Sequence, residues 1–165
     1  MSALTWNEAL ALHQPQIDAT HREFVELLGG VEAALDGDVV TLGAALEAFI
    51  GHTEAHFAQE NDWMLRVGFG EGHCHGSEHA QVLELMHEVR RRLQTEADVR
   101  VVRALVPALA QWFPIHAASM DAGLAEVMIA RGFEPDTGTM LKPPGDDEAA
   151  DAAVAVCEHL TAPSP

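Results

Sequence analysis

The stretch HGSEHAQVLELMHEVRRRL, residues 75–93, decides the fold. Its two histidines, His75 and His79, are four residues apart, which is about 400° of α-helix, so both rings lie on one helix face. The same face continues in steps of three and four with apolar residues, namely Val82, Met86, Val89 and Leu93. The histidines therefore occupy core positions. A buried imidazole pair needs a polar partner, because an unsatisfied buried polar group is costly, and a bound metal ion is one such partner.

The composition of the chain narrows the class of protein. Its 165 residues suffice for one domain with a real core, and its hydrophobic content of 48% with only 5% aromatic residues favours packed helices. A formal net charge of −17 argues against binding to nucleic acid or to an anionic membrane. Residues 1–8 lack the basic and apolar parts of a signal peptide, and no apolar run is long enough to span a membrane. We therefore expect a cytoplasmic protein.

Apolar positions repeat at helical spacing in four segments, which predict helices over about 18–35, 40–67, 74–94 and 98–132. Asp18 is the predicted N-cap of the first helix, because Pro15 should stop any helix before it. Short links imply an all-α fold, an antiparallel up-down-up-down four-helix bundle with an N-terminal arm and a C-terminal tail. We assign residues 1–134 to the bundle and residues 135–165 to an acidic, Ala/Pro-rich tail with a short helix within 146–160.

The apolar line of the fourth segment contains an irregular step. It runs from Val102 to His116 at helical spacing and resumes five residues later, at Asp121. Five residues correspond to about 500°, so on an ideal helix the two side chains would diverge by about 140°. One extra residue absorbed as a π-bulge would restore the line, and Pro114 invites such an irregularity by removing a backbone donor.

Seven polar residues interrupt the four apolar stripes, and the predicted topology places all of them at one end of the bundle, facing inward. Five imidazoles and two carboxylates without a thiolate suit a transition ion such as iron, and they are about right in number for two ions. Tetrahedral zinc uses fewer ligands, and a ferritin-like site needs Glu-x-x-His on two helices. His52 and His73 remain open as alternate ligands. The seven candidates are His21, His56, Glu60, His75, His79, His116 and Asp121.

The chain resembles the hemerythrins, in particular the bacterial single-domain ones, over roughly residues 4–133. Four motifs carry the resemblance, and all seven ligand positions of the family pattern are filled in order. The chain departs from that pattern at Asn61, where a second acidic residue is common, and at Ala117, which replaces a bulkier apolar residue. The motifs are Ile17-Asp18-Ala19-Thr20-His21, His56-Phe57-Ala58-Gln59-Glu60, His75-x-x-x-His79, and Trp112-Phe113-x-x-His116 with Asp121.

The resemblance implies a non-haem centre of two iron ions with a bridging oxo or hydroxo group, which binds dioxygen reversibly. By analogy with the family, three of the histidines, His75, His79 and His116, hold one iron. His21 and His56 hold the other iron, which takes the oxygen, while Glu60 and Asp121 bridge the two. The residues that match the wall of the oxygen pocket are Phe24, Trp112, Phe113 and Ala117.

Two functional classes follow from this resemblance. The first is a non-enzymatic dioxygen binder for oxygen storage, for delivery to oxygen-requiring enzymes or for sensing. The second is a di-iron enzyme acting on peroxide, nitric oxide or an organic substrate, which would need a proton donor near the open metal position. The sequence offers no acid or base there beyond the ligands, so we favour the binder. The C-terminal tail could contact a protein partner.

Overall fold

A computed structural model describes residues 3–155 of the protein, and every regular element in that range is helical. A short 3-10 helix, Glu8–Leu10, precedes the main helices. Within the described range, an isolated β-bridge joins Glu134 and Thr139. The α-helices are α1 (Pro15–Ala34), α2 (Val39–Val67), α3 (Cys74–Glu96), α4 (Val99–His116), α5 (Ala122–Arg131) and α6 (Glu148–Ala155).

The first four helices form the predicted all-α bundle. Helix α1 packs against α2 and α4, α2 packs against α3, and α3 packs against α4, so that neighbours in the chain are neighbours in space. Links of only a few residues between α1 and α2 and between α3 and α4 make these pairs antiparallel. None of the helices in residues 3–155 combines the length and the apolar character needed to cross a membrane.

The predicted start of the first helix was wrong. Helix α1 begins at Pro15, with the side-chain oxygen of Gln14 accepting a hydrogen bond from the Ile17 N–H at 2.8 Å. Proline suits the first position of a helix, because its missing N–H would have no partner there. Asp18 is a buried residue of the first turn instead of the cap. Its carboxylate accepts hydrogen bonds from the N–H groups of Leu12 and His13 at 2.7 and 3.1 Å, which fixes the N-terminal arm.

The fourth bundle helix contains the predicted π-bulge. Helices α4 and α5 are joined without a break by a π-helical turn, Ala117–Asp121, so the α4–α5 unit spans the whole predicted segment. The turn absorbs the extra residue between His116 and Asp121, and both side chains are buried. The predicted link after α3 was too long, since α3 continues to Glu96 and Asp98 caps the N-terminus of α4.

The core consists of two apolar clusters. The larger one fills the bundle on the side of the α1–α2 and α3–α4 turns and includes Phe24, Phe49 and Phe113. The smaller one lies at the other end and includes Ile17, Trp63 and Leu124. Each of the last three residues lies within four positions of a candidate ligand in the sequence. The candidate ligands therefore occupy a polar layer between two apolar layers.

The segment after Glu134 packs against the smaller cluster through α6, which contacts α5. Arg131 anchors it, because the fully buried guanidinium donates to the Pro143 carbonyl at 3.1 Å and to the Asp151 carboxylate at 2.5 Å. Helix α6 falls within the range predicted for a short helix. Cys157, His159 and the rest of the tail beyond residue 155 lie outside the described residues.

Candidate metal centre

The structure brings all seven candidate ligands together in one buried layer. Each of these side chains comes from a different turn of α1, α2, α3 or the α4–α5 unit, and each residue is at most 3% exposed. Potential ligand atoms of Glu60, His75, His79, His116 and Asp121 lie within 4.8 Å of one another. A second group, within the same limit, comprises His21, His56 and Glu60. We call the first set of histidines, His75, His79 and His116, the three-histidine side, and the pair His21 and His56 the two-histidine side.

Glu60 lies between the two sides and turns one oxygen towards each. Its Oε1 is 3.0 Å from Nε2 of His56 and 3.8 Å from Nε2 of His21, on the two-histidine side. Its Oε2 is 3.4 Å from Nε2 of His79 and 3.6 Å from Nε2 of His75, on the three-histidine side. The two oxygens of one carboxylate therefore serve different groups of imidazoles.

Asp121 repeats this division from the opposite helix. Its Oδ2 is 3.1 Å from Nε2 of His21, on the two-histidine side. Its Oδ1 is 2.9 Å from Nε2 of His75 and 3.2 Å from Nε2 of His116, on the three-histidine side. The π-helical turn allows both residues to reach the layer, because its extra residue brings Asp121 onto the helix face that also carries His116.

The ligand set fits a bound metal better than it fits hydrogen bonding alone. Within the described residues, several buried atoms of the layer have no hydrogen-bond partner, among them Nε2 of His21 and His75 and both oxygens of Asp121. Buried polar atoms without partners are costly. Neighbouring ligands of an ion with bonds of roughly 2.1 Å lie about 3.0–3.4 Å apart. The Nε2 atoms of His79 and His116 are 3.2 Å apart, and the carboxylate distances cluster around the same value.

In the metal-free layer, the carboxylates hold protons on two of the rings. Burial disfavours the charged form of His21 and His75, but the negative charges of Asp121 and Glu60 beside each ring outweigh it and raise the pKa of each to about 9. Burial and the neighbouring His75 lower the pKa of His79 to about 3. The carboxylates have pKa values well below their ordinary range, because contacts with the histidines outweigh burial. A cation entering the layer would displace the protons of His21 and His75.

Outer hydrogen bonds hold two rings of the three-histidine side. Nδ1 of His79 is 3.1 Å from Oδ1 of Asn61, and Nδ1 of His116 is 2.7 Å from Oε2 of Glu78. The Nδ1 atoms of the other three rings, His21, His56 and His75, have no hydrogen-bond partner among residues 3–155. The outer contacts therefore favour Nδ1–H on His79 and His116, with Nε2 free to bind a cation.

The two alternate histidines lie outside both groups of potential ligands. The ring of His52 is 6.0 Å from the ring of His56, and its Nε2 lies 3.2 Å from the carbonyl oxygen of Thr20. His73 is the N-cap of α3, where its Nδ1 accepts from the His75 N–H at 3.4 Å. Cys74 contacts Met120, with 4.0 Å between the two sulfur atoms.

Aromatic side chains surround the layer on both sides. On the two-histidine side, Phe113 lies edge-on to the ring of His21 at 5.0 Å and stacks on Phe24 at 4.3 Å. On the three-histidine side, Trp112 stacks on His116 at 4.4 Å. Phe57 stacks on His79 at 3.9 Å. Ala117, the remaining predicted pocket residue, is 1% exposed and begins the π-helical turn.

Three residues of this surrounding layer were missed as functional residues from the sequence. Phe57, Asn61 and Glu78 each lie directly beside a candidate ligand in the chain. Their positions on the helices provided a signal, since a residue adjacent to an inward ligand points about 100° away from it, towards a neighbouring helix. Which neighbour each one reaches depends on helix packing, which spacing alone does not define.

Comparisons with known proteins agree with this geometry. Residues 14–127 match the family described as the hemerythrin HHE cation binding domain. A bacteriohemerythrin of Ralstonia nicotianae is 43% identical over 132 residues, which are 80% of this chain and 93% of that protein. Bacteriohemerythrins of Pseudomonas aeruginosa and Stenotrophomonas maltophilia are 26% and 25% identical, over 78% and 76% of this chain and 83% and 82% of theirs. The chain therefore belongs to the hemerythrin family.

Proposed function

We propose that the protein binds dioxygen reversibly at a centre of two iron ions in the buried layer. The observation that carries this proposal is the division of both carboxylates. Glu60 and Asp121 each present one oxygen to the three-histidine side and the other to the two-histidine side. A single ion would need only one of these two sets of atoms, whereas two ions use both.

The same division supports an assignment of ligands that matches the one implied by the family. His75, His79 and His116 would hold one iron, and His21 and His56 would hold the other. Glu60 and Asp121 would bridge the two ions, and an oxo or hydroxo group between the ions would complete the centre. The absence of thiolate ligands and the mixture of imidazole and carboxylate suit iron. When bound, the reduced iron pair supplies the electrons and the open coordination position that dioxygen binding requires.

The side chains of this chain have three tasks in that function. The carboxylates would offset part of the positive charge of the two ions, and they link the two sides of the layer. Asn61 and Glu78 orient the rings of His79 and His116. Phe24 and Phe113, which are at most 1% exposed, exclude water from the two-histidine side. Such an apolar wall would limit the access of solvent to a metal held by His21 and His56 and would thereby influence its redox potential.

A binder agrees with these surroundings better than an enzyme does. Two side chains of the larger apolar cluster lie beside this side, Phe113 against His21 and Phe24 against His56, and neither carries a proton donor or a proton acceptor. An enzyme that reduces peroxide or nitric oxide needs a group that delivers protons to its substrate. We therefore propose storage or delivery of dioxygen in the cytoplasm as the role of the protein.

The experiment that tests this function combines metal analysis with visible spectroscopy. The purified protein is loaded anaerobically with ferrous iron, exposed to air and then returned to anaerobic conditions, while iron per chain and the charge-transfer absorption are recorded. We expect about two irons per chain and an absorption band that appears with oxygen and disappears without it over several cycles. Two irons with irreversible bleaching and turnover of peroxide or nitric oxide would contradict the proposal and favour the enzyme.

A further inference from the structure

The same arrangement occurs twice between neighbouring helices: a residue next to a candidate ligand on one helix forms a hydrogen bond with a histidine on the next helix. Asn61 directly follows Glu60 on α2 and reaches His79 on α3. Glu78 directly precedes His79 on α3 and reaches His116 on the α4–α5 unit. Each of these two helices therefore supplies a candidate ligand and, at the adjacent position, the outer partner of a candidate ligand on the next helix.

The two outer partners differ in charge. Asn61 offers a neutral amide oxygen to His79 at 3.1 Å, whereas Glu78 offers a carboxylate to His116 at 2.7 Å. Hydrogen bonds to an ionised acceptor are shorter and about twice as strong as those between neutral groups. A carboxylate partner also makes the imidazole a better electron donor through its other nitrogen. The His116 ring is therefore held more firmly than the His79 ring, and its Nε2 is the stronger electron donor towards a metal.

Within the described residues, the contact with His116 is the hydrogen bond and ion pair that the Glu78 side chain makes. Its side chain is 38% exposed, whereas the His116 ring that it contacts is 1% exposed. The carboxylate thus lies at the surface of the bundle and contacts the buried His116 ring on the adjacent helix. A substitution there changes the contact to His116 without opening a cavity in the core, so the role of the residue can be tested in a folded protein.

We propose that Glu78 is a positioning residue of the metal centre, which fixes the Nδ1–H form of His116 and strengthens its Nε2 as a ligand of the three-histidine side. This inference rests on the proposed function, since it assumes that His116 binds one of two ions. It also assigns unequal roles to the outer partners. Glu78 strengthens ion binding and favours the oxidised ion through its charge, while Asn61 only orients its ring.

The test uses cobalt(II) as a spectroscopic probe in the full-length chain. Wild-type protein is titrated anaerobically against a chromophoric chelator, together with Glu78→Gln, Glu78→Ala and the control Glu84→Gln. Glu84 is exposed on the same helix, so its substitution removes the same charge away from the site. Outer partners of metal-bound histidines typically contribute about 10–100-fold to metal affinity. We expect Glu78→Ala to weaken one of the two cobalt ions by about this factor, Glu78→Gln to lie in between, and the second ion to be unaffected.

A second readout separates positioning from a general structural effect. In the cobalt-loaded protein, the ring N–H proton of a bound histidine gives a proton resonance that is strongly shifted by the metal. We expect the His116 N–H resonance to move and to exchange faster with water in both Glu78 variants, while that of His79 stays in place. Thermal unfolding of the metal-free variants checks that they fold like Glu84→Gln.

The possible outcomes distinguish the two proposals. If wild-type protein binds two cobalt ions and the Glu78 variants match Glu84→Gln in affinity and in the His116 resonance, the role of Glu78 is refuted while the two-ion centre stands. If both ions weaken equally in Glu78→Ala, the contact has no specific effect on the three-histidine side, and the inference fails. If wild-type protein does not bind two ions, the proposed function fails and this inference fails with it.

Discussion

The two sides of the metal layer share their carboxylates but differ in their surroundings. On the three-histidine side, two rings are fixed from behind by Asn61 and Glu78, and aromatic rings stack on their faces. On the two-histidine side, neither ring has a hydrogen-bond partner for its Nδ1 within residues 3–155, and the larger cluster meets it with Phe24 and Phe113. The comparison teaches that one layer can combine a side whose rings are fixed by outer hydrogen bonds with a side that is bordered by apolar groups.

The largest effect is expected from the carboxylates, because both sides depend on them. Glu60→Gln or Asp121→Asn keeps the shape of the side chain but replaces one oxygen by an NH₂ group, which cannot bind a cation. We expect at most one iron per chain to remain bound. The affinity for the second iron should fall by more than about 100-fold, which exceeds the effect of removing an outer partner of a ligand. Metal analysis after anaerobic loading measures it. Two tightly bound irons in either variant would contradict the bridging role.

The next largest effect separates the two sides from each other. His56→Ala removes a ligand from the two-histidine side alone, and His116→Ala removes one from the three-histidine side alone. We expect each variant to retain about one iron per chain, with the oxygen-dependent absorption band lost in both. Metal stoichiometry and the spectrum in air provide the measurement. If His56→Ala retained both irons and the reversible band, the two sides would not be separate binding positions.

The stability of the metal-free fold and the extra stability that a bound metal gives should respond oppositely to rising pH. The pKa values of His21 and His75 are raised from 6.5 to about 9, so their ion pairs with the carboxylates stabilise the metal-free fold fully below pH 6.5. This stabilisation is lost as the pH rises through about 9. Metal affinity should increase over the same window by about tenfold per pH unit for each proton displaced.

Chemical denaturation of both forms at several pH values between 6.5 and 9 tests this opposition. The free energy of unfolding of the metal-free protein should fall with pH, and the extra stability given by the metal should grow. A metal-free protein that became more stable over this range would show that the two rings are neutral in the absence of metal.

The smallest effect is expected from the aromatic surroundings. Phe24→Leu thins the wall of the two-histidine side, and Phe57→Leu is its counterpart on the three-histidine side. Both residues are at most 1% exposed, so each change should lower the free energy of unfolding by about 1 kcal/mol. Only Phe24→Leu should accelerate irreversible oxidation of the oxygen-bound form, by several-fold. The decay of the visible band measures the oxidation rate of each variant. Equal rates in the two variants would contradict a protective role that is specific to the wall of the two-histidine side.

The sequence predicts much of this site because helical periodicity is a strong constraint. Seven polar residues on apolar stripes, together with short links, predict that His21, His56 and His75 lie at one end of a bundle. The five-residue step from His116 to Asp121 predicted the π-helical turn, because only an extra residue keeps both side chains on one face.

The remaining features depend on contacts between segments that are distant in the sequence. The start of α1 was misplaced because Asp18 has the chemistry of a cap, yet its carboxylate is satisfied by the arm at Leu12 and His13. The outer partner Glu78 was missed because its role depends on the rotation of α3 against the α4–α5 unit. The anchoring of the segment after Glu134 depends on the buried guanidinium of Arg131, and the sequence pattern around Arg131 does not predict that it is buried.

The most direct test of the account is a crystal structure of the iron-loaded protein, with anomalous scattering recorded at the iron absorption edge. The account predicts two anomalous peaks in the buried layer, one beside His21 and His56 and one beside the three-histidine side. Both peaks should lie within bonding distance of Glu60 and Asp121. A single peak, or a peak bound by only one oxygen of these carboxylates, would contradict the central claim that the two sides hold separate ions.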